Sequence, residues 1–356
     1  MNPLQRVFKG RRILVTGDTG FKGSWLSLWL HALGAEVTGL ALPPENDDAH
    51  YHLLGLSSLI RHMDADVRDQ AQVKAVFDDA RPEILFHLAA QAIVRTSYRE
   101  PKATFDTNVG GGVNILEAVR QSGSLRSVVF ITSDKCYRNN EWTRGYTEDD
   151  VLGGRDPYSA SKAAAEIVFA AYQDSFFMQK KGMGAATARA GNVMGGGDWA
   201  RDRIIPDCVR SLKSGAVVTV RNPASTRPWQ HVLEPLSGYL TLAAKLLEDP
   251  ASFAGAYNFG PKAGSIKTVR DVVEGSIRAW GRGEYAVATE LHAPHEAGLL
   301  HLDCEKAGRE LGWQPLWDFD RTIIETMAWY KAVSDGKPAL AMSRQQINNY
   351  MAERYD

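Results

Sequence analysis

Two short stretches of this 356-residue chain carry side chains able to move protons. Asp156-Pro157-Tyr158-Ser159-Ala160-Ser161-Lys162 opens a helical run to about Lys181, with Asp156 suited to the N-cap and Pro157 to the first helical position. Tyr158 and Lys162 are four residues apart, so a helix projects both from one face. A phenol beside an ammonium can act as a general acid or base. Tyrosine ionises near pH ~10, and bringing that close to neutrality takes about 4 kcal/mol of favourable charge interaction. The second stretch, Ser133-Asp134-Lys135, follows the apolar run Ser127 to Thr132. It therefore delivers a hydroxyl, a carboxylate and an amine to the C-terminal end of a buried strand. Alone, a Tyr-x-x-x-Lys spacing is common on surfaces and a polar triple is an ordinary solvated turn. Together they predict one reaction centre.

A reaction centre needs elements to hold it. Arg12-Ile13-Leu14-Val15 reads as a buried strand, and Trp25, Leu26, Leu28, Trp29, Leu30 and Leu33 make a wide apolar helix face ended by Gly34. Between them Gly17, Gly20 and Gly23 are spaced G-x-x-G-x-x-G. A tight glycine turn between strand and helix lets the backbone approach a ligand while free N–H groups attract a phosphate. The stretch predicts a dinucleotide site, with Gly17, Thr19, Gly20, Phe21, Lys22 and Gly23 around the cofactor. A bound nicotinamide would add its positive charge to that of Lys162 in favouring a phenolate. The second strand, Ala35 to Ala41, runs into Leu42-Pro43-Pro44-Glu45. It offers neither the acid that clamps a ribose 2′-hydroxyl nor an Arg for a 2′-phosphate. NAD is favoured by that lack of Arg, with Glu45 the remaining ribose candidate. Asp66, beside Val67, closes a third strand from Ile60. Its carboxylate either accepts from an adenine amino group or caps the helix from Gln70 to Asp79. The strand Glu83 to Gln91 ends in Leu88-Ala89-Ala90, whose small side chains leave room for the cofactor.

The alternation of strands and helices to about residue 190, including a long helix from Thr104 to Ser122, predicts a doubly wound parallel α/β sheet of Rossmann type. Residues 1–190 form this dinucleotide-binding domain, with 228–260 rejoining it through the strand Gly255 to Gly260. Residues 191–227 and 261–340 form a smaller mixed α/β substrate-binding lobe, and 341–356 a polar tail. Beyond the glycine-rich loop Ala188 to Trp199, Arg227 suits bidentate binding of a diphosphate. Trp229 packs on a sugar or base, or serves as core. Hydrophobic content is 44% and net charge −1, which argues against general attraction to nucleic acid or membranes. Cys136, Cys208 and Cys304 are odd in number and far apart, as free thiols of a reducing cytoplasm would be. His50-x-His52 and His292-x-x-His295 lack further ligands at known spacings, so no metal is expected.

These residues together resemble the extended short-chain dehydrogenase/reductases over essentially the whole chain. Thr16 to Leu26, Ala190 to Trp199 and Arg227 to Val232 are similar, more narrowly, to the CDP-glucose 4,6-dehydratases of that superfamily. The resemblance implies oxidation of the sugar at C4, loss of water across C5 and C6, and return of the same hydride to C6, with NAD recycled. It implies that Tyr158, helped by Lys162, takes the C4 hydroxyl proton and that Ser133 holds the C4 oxygen. Asp134 would protonate the departing C6 hydroxyl, a role calling for a dry or anionic setting. Gln91, Arg95, Asn192, Arg201, Arg227 and Trp229 would bind the CDP-glucose. Lys135 stands where dTDP-glucose dehydratases carry the Glu expected to be the C5 base, and the CDP-glucose enzymes are expected to share this Lys. A homodimer paired through the helices 104–122 and 157–181 is implied as well. The rivals are a nucleotide-sugar 4-epimerase or reductase, which needs no acid after Ser133, and a binding protein without turnover, which needs no Tyr158 and Lys162.

Overall fold

The computed structural model describes residues 2–44, 46–201, 203–288 and 299–355. Glu45, His292 and His295 therefore lie outside the described residues. The centre is a seven-stranded parallel sheet of β1 (Arg12–Thr16), β2 (Glu36–Ala41), β3 (Arg61–Asp64), β4 (Ile84–His87), β5 (Ser127–Ile131), β6 (Gly184–Ala190) and β7 (Gly255–Phe259). Their order is β7-β6-β5-β4-β1-β2-β3. The order reverses between β1 and β4, paired in register from Ile13↔Ile84 to Thr16↔His87. Ligands of such sheets sit outside the strand ends at that reversal.

Burial on both faces explains the apolar strands: every residue of β4, β5 and β6 is buried. Along β1, Ile13 and Val15 face one layer and Leu14 the other. The first layer holds α1 (Phe21–Ala32), with Trp25 and Trp29 wholly buried. A side chain of that size stabilises by roughly 2–3 kcal/mol when removed from water. The second layer includes α2 (Gln70–Ala80), α3 (Gly112–Gln121) and α4 (Pro157–Tyr172). The remaining long helices are α5 (Ile204–Ser214), α6 (Leu233–Glu248), α7 (Val269–Trp280), α8 (Phe319–Ser334) and α9 (Ala339–Tyr355).

Several elements differ from their sequence reading. The helix read over 104–122 is broken into Pro101–Phe105, a wide π turn at Asp106–Gly111, and α3. The wide turn is where backbone must come close: a Cβ on Gly111 would lie 2.7 Å from Val67. α4 stops at Tyr172 and continues as another π turn, Gln173–Phe177. The cap of α2 is Asp69, whose carboxylate accepts from the N–H groups of Ala71 and Gln72. Asp66 is thus no cap, and it binds Arg68 instead, at 2.5 Å. The polar tail from Met342, expected to be helical, does form a helix, α9, but not a solvated one: its Ser343, Gln346, Ile347 and Tyr350 are buried.

Candidate active site

The strand ends open into one cleft of about 1440 Å³. Among the described residues, every one singled out from sequence for catalysis, cofactor or substrate lines it. At its floor the chain turns from β1 into α1. Gly17 has φ +77°, and a Cβ there would lie 2.9 Å from the Ala89 nitrogen. A Cβ on Gly23 would come within 2.0 Å of the Gly17 carbonyl oxygen, so only glycine lets the helix seat against the turn. α1 begins with no side-chain cap and no acid in its first turn. Its N–H groups thus face the cleft as an anion cradle. Thr19 ties the turn to β2 by donating to the Leu42 carbonyl at 3.0 Å. Asp18, wholly buried, accepts from His62 Nδ1 at 2.7 Å, and His62 Nε2 faces Asp64 at 3.0 Å. That clamp joins the glycine turn to β3 and was not anticipated, because its members are 44 residues apart.

The reaction centre stands over the ends of β4, β5 and β6. Asp156 caps α4 by accepting from the Ser159 N–H at 3.0 Å, with Pro157 in the first turn. The Tyr158 N–H donates to Ser97 at 3.2 Å. Asn108 bridges Ser161 and the Gln91 carbonyl, at 2.8 and 3.0 Å, fixing α4 against the end of β4. Tyr158 and Lys162 are both buried, 8% and 6% exposed. The Tyr158 hydroxyl is hydrogen-bonded to Ser133. The Ser133 hydroxyl donates to Asp134 Oδ1 at 2.9 Å and accepts from the Lys135 N–H at 3.2 Å. Asp134 Oδ2 lies where a Cβ on Gly191 would approach to 2.9 Å.

Burial, not charge, dominates the ionisation of this centre. It pushes the Tyr158 phenol up to about 12, opposed by the neighbouring Ser133 hydroxyl. It pulls the Lys162 amine down to about 8, opposed by Glu166. The sequence reading expects Lys162 to lower the phenol; the protein by itself raises it, because desolvation outweighs the favourable effects of Ser133 and Arg203. Glu166 lies one turn beyond Lys162, making Tyr158, Lys162 and Glu166 a ladder down α4. Its carboxylate accepts from Thr132, from Thr187 at 2.9 Å and from Arg189 at 2.8 Å. Arg189 also donates to Tyr137 at 2.8 Å, and the Tyr137 hydroxyl donates to Asn258 at 2.8 Å. The i, i+4, i+8 spacing was the available signal for Glu166. Nothing local in sequence pointed to Arg189.

The remaining nominated residues are less uniform. Gln91 spends its side chain within the fold, donating to the Thr104 hydroxyl at 2.9 Å and accepting from the Ile93 N–H at 2.6 Å. Asn192 and Arg201 are exposed at the rim. Arg203 lies deeper, paired with Asp198 at 2.8 Å and close enough to act electrostatically on Tyr158 and Lys22. The sequence reading chose Arg201 and missed it. Arg95 lines the cleft from the helix Val94–Arg99, and Arg227 donates to the Thr226 carbonyl at 2.8 Å. Trp229 is 5% exposed, with its ring N–H committed to the Lys267 carbonyl at 3.0 Å. It is chiefly core, with an edge on the cleft. No cluster of metal-ligating side chains occurs, and no helix is long and apolar enough to cross a membrane, among the described residues.

Comparison with known proteins fits this geometry. A CDP-glucose 4,6-dehydratase of Salmonella typhimurium is 46% identical over 352 residues, 98% of each chain. A dTDP-glucose 4,6-dehydratase of Shigella flexneri is 24% identical over 90% of this chain and 93% of its own. Among solved structures, the Thermus thermophilus UDP-glucose 4-epimerase complex with NAD matches 90% of this chain and 99% of its own, with 27% identity and a TM-score of 0.76. The GDP-mannose 4,6 dehydratase family model matches residues 14–326. A glycine cradle, a Tyr–Lys helix and a polar strand end in one cleft are thus the local marks of a likeness that spans the chain, which belongs to the GDP-mannose 4,6 dehydratase family of extended short-chain dehydrogenase/reductases.

Proposed function

We propose that this chain is an NAD-dependent CDP-glucose 4,6-dehydratase. The observation that carries the reading is the convergence of Ser133, Asp134 and Lys135 with Tyr158 and Lys162 at one end of a cleft whose other end is the glycine cradle. The near full-length likeness to the Salmonella CDP-glucose enzyme supplies the nucleotide.

The uncapped start of α1 and the contact at Gly17 fit a dinucleotide diphosphate, since any side chain there would fill the space. Gly17, Thr19, Gly20, Phe21, Lys22 and Gly23 would hold NAD by that diphosphate. Asp66 and Val67 would lie at its adenosine, and Leu88, Ala89 and Ala90 beside its nicotinamide half. When bound, NAD supplies a hydride acceptor for C4 and, later, a hydride donor for C6.

The protein's own groups handle the protons. Tyr158 takes the proton of the C4 hydroxyl while Ser133 holds that oxygen. The Lys162 charge and that of the nicotinamide offset the burial that keeps the phenol protonated. The resulting ketone acidifies C5–H, and Lys135 removes that proton. Asp134 delivers a proton to the C6 oxygen as the C6–O bond breaks, and water leaves. Gln91, Arg95, Asn192, Arg201, Arg227 and Trp229 form the substrate side, with 191–227 and 261–340 as the substrate lobe. Unbridged Cys136, Cys208 and Cys304 support a reducing, cytoplasmic setting. Exposed Tyr98, Phe105, Ile167 and Phe176 on the helices around α4 support a homodimer.

Incubation with CDP-glucose and NAD is expected to build up a 4-keto-6-deoxy sugar, seen as a chromophore in base. An epimerised sugar without that chromophore would overturn the reading in favour of an epimerase.

A further inference from the structure

Asp18 brings a negative charge into the very turn that forms an anion cradle. Its side chain is wholly buried, and its Oδ1 has no hydrogen-bond partner among the described residues. Its Oδ2 reaches away from the turn. β1, β2 and β3 run side by side, with Val15 opposite Gly39 and Gly39 opposite His62. A Cβ on Gly39 would come within 2.1 Å of Asp18 Oδ2, so that glycine opens the space through which the carboxylate crosses β2. On the far side it meets His62 Nδ1 at 2.7 Å, while His62 Nε2 meets Asp64 Oδ1 at 3.0 Å. Carboxylates only accept hydrogen bonds, and a neutral imidazole has a single N–H to give. Both contacts are satisfied together only by the doubly protonated ring. The His62 side chain is 14% exposed, and the Tyr51 ring lies 5.4 Å from its own. The titratable groups facing it are Asp18 from the turn, Asp64 on its own strand and Tyr51 from the short helix His50–Leu53, while β2 presents Gly39.

We propose that His62 is a positioning residue for the cofactor, an imidazolium that acts through Asp18 by cancelling the carboxylate charge beside the diphosphate cradle. The inference rests on the placement of NAD given above. A carboxylate between Gly17 and Thr19 repels an anionic ligand, and burial away from water lengthens the reach of that repulsion. With the ring charged, Asp18 and His62 together are neutral. Once the ring loses its proton, the pair carries a net negative charge and one of the two carboxylate contacts is lost. The hydrogen bond to Asp18, opposed by burial and supported by Asp64, holds His62 above the usual histidine range. NAD affinity is therefore highest below that raised value and falls as the pH rises through it. Linkage requires the converse: a bound diphosphate favours the charged ring, so NAD binding takes up protons over the same range.

The test is calorimetric titration with NAD between pH ~6 and pH ~9, the range in which a raised histidine changes charge. Wild type, His62→Gln and Asp64→Asn are compared, each well below its melting point. Gln can still donate to Asp18 but carries no charge. Wild-type affinity is expected to fall about 10-fold across the titration of His62, within the usual span of coupling between two sites. His62→Gln should start about 10-fold weaker at pH ~6 and converge on wild type by pH ~9. Asp64→Asn should move the wild-type fall to lower pH. Lys22 and Lys162, both pulled down to about 8, add losses at higher pH that all three proteins share. Binding to wild type should also take up protons, read as a binding heat that varies with the ionisation enthalpy of the buffer, and His62→Gln should lose that uptake. A His62→Gln protein weakened equally at every pH would overturn the proposal, since a purely structural loss does not depend on the charge of the wild-type ring. Wild-type affinity retained by His62→Gln at pH ~6 would overturn it as well. Wild type that binds no NAD at any pH would instead overturn the cofactor placement.

Discussion

Replacing Glu166 by Gln tests the electrostatic ladder beneath the reaction centre. Glu166 and Arg189 are 3% and 5% exposed and meet at 2.8 Å. Removing one charge leaves the other buried without compensation, which costs about 3–5 kcal/mol. Arg189 would keep only neutral partners, the Tyr137 hydroxyl and the Glu148 carbonyl at 2.8 and 3.0 Å and the new amide oxygen, and its Nε already lacks a partner. At roughly 2–3 °C per kcal/mol for a chain of this size, the melting temperature should drop by about 6–15 °C. A second effect reaches Lys162. Side chains four apart on a helix are ~6 Å apart, and at an effective dielectric of ~20 their unit charges interact by about 3 kcal/mol. Replacing Glu166 alone removes that whole interaction, roughly two pKa units. Glu166 holds Lys162 up against burial, so its loss should move the Lys162 amine further down from about 8. The pH at which kcat falls through loss of that ammonium should move down by about two units, measured on the folded variant well below its melting point. Adding Arg189→Met should recover at least half of the lost stability while leaving the pH edge displaced. A Glu166→Gln protein that melts within about 2 °C of wild type, with an unmoved pH profile, would refute the reasoning.

Replacing Tyr158 by Phe should lower turnover by at least ~10³-fold while nucleotide binding, followed by calorimetry, stays intact; unchanged turnover would remove Tyr158 from the chemistry. Gly23→Ala places a methyl within 2.0 Å of the Gly17 oxygen, so NAD titration should show affinity reduced at least ~10-fold, and an undiminished affinity would mean that the cradle is not the cofactor site. Arg227→Ala should weaken substrate binding far more than NAD binding, and equal loss of both would signal damage to the fold. Sedimentation at micromolar concentration should give a dimer, which a monomer would exclude.

The parts of the site that sequence disclosed are those built from local geometry. Gly17, Gly20 and Gly23 act through a turn a few residues long, and Tyr158 and Lys162 share a helix face by spacing alone. What escaped depends on distant partners. Arg203 lies two residues from the nominated Arg201, and only the chain's path past Asp198 sends it into the cleft. Arg189 looks like any residue of a buried strand until Glu166 is brought against it from another element. Of the two roles left open for Asp66, the cap goes to Asp69, three residues on, which accepts from the first N–H groups of the helix. The helix boundaries at Asp106 and Gln173 moved because wide turns answer to packing against neighbours, which no single segment announces.

The packing of α9 against α1 has a consequence for biosynthesis. Trp29, on the helix that opens the glycine cradle, meets Tyr350 edge to face at 5.7 Å and donates its ring N–H to Met351 at 3.2 Å. Residues about 320 positions apart thus finish one patch of interior. A ribosome-bound chain that has not yet released α9 leaves that tryptophan wet and its helix poorly seated. Loading of the dinucleotide should accordingly wait for translation of α9, and a stop codon placed before Ala339 should yield a protein defective first at a site encoded about 320 codons upstream.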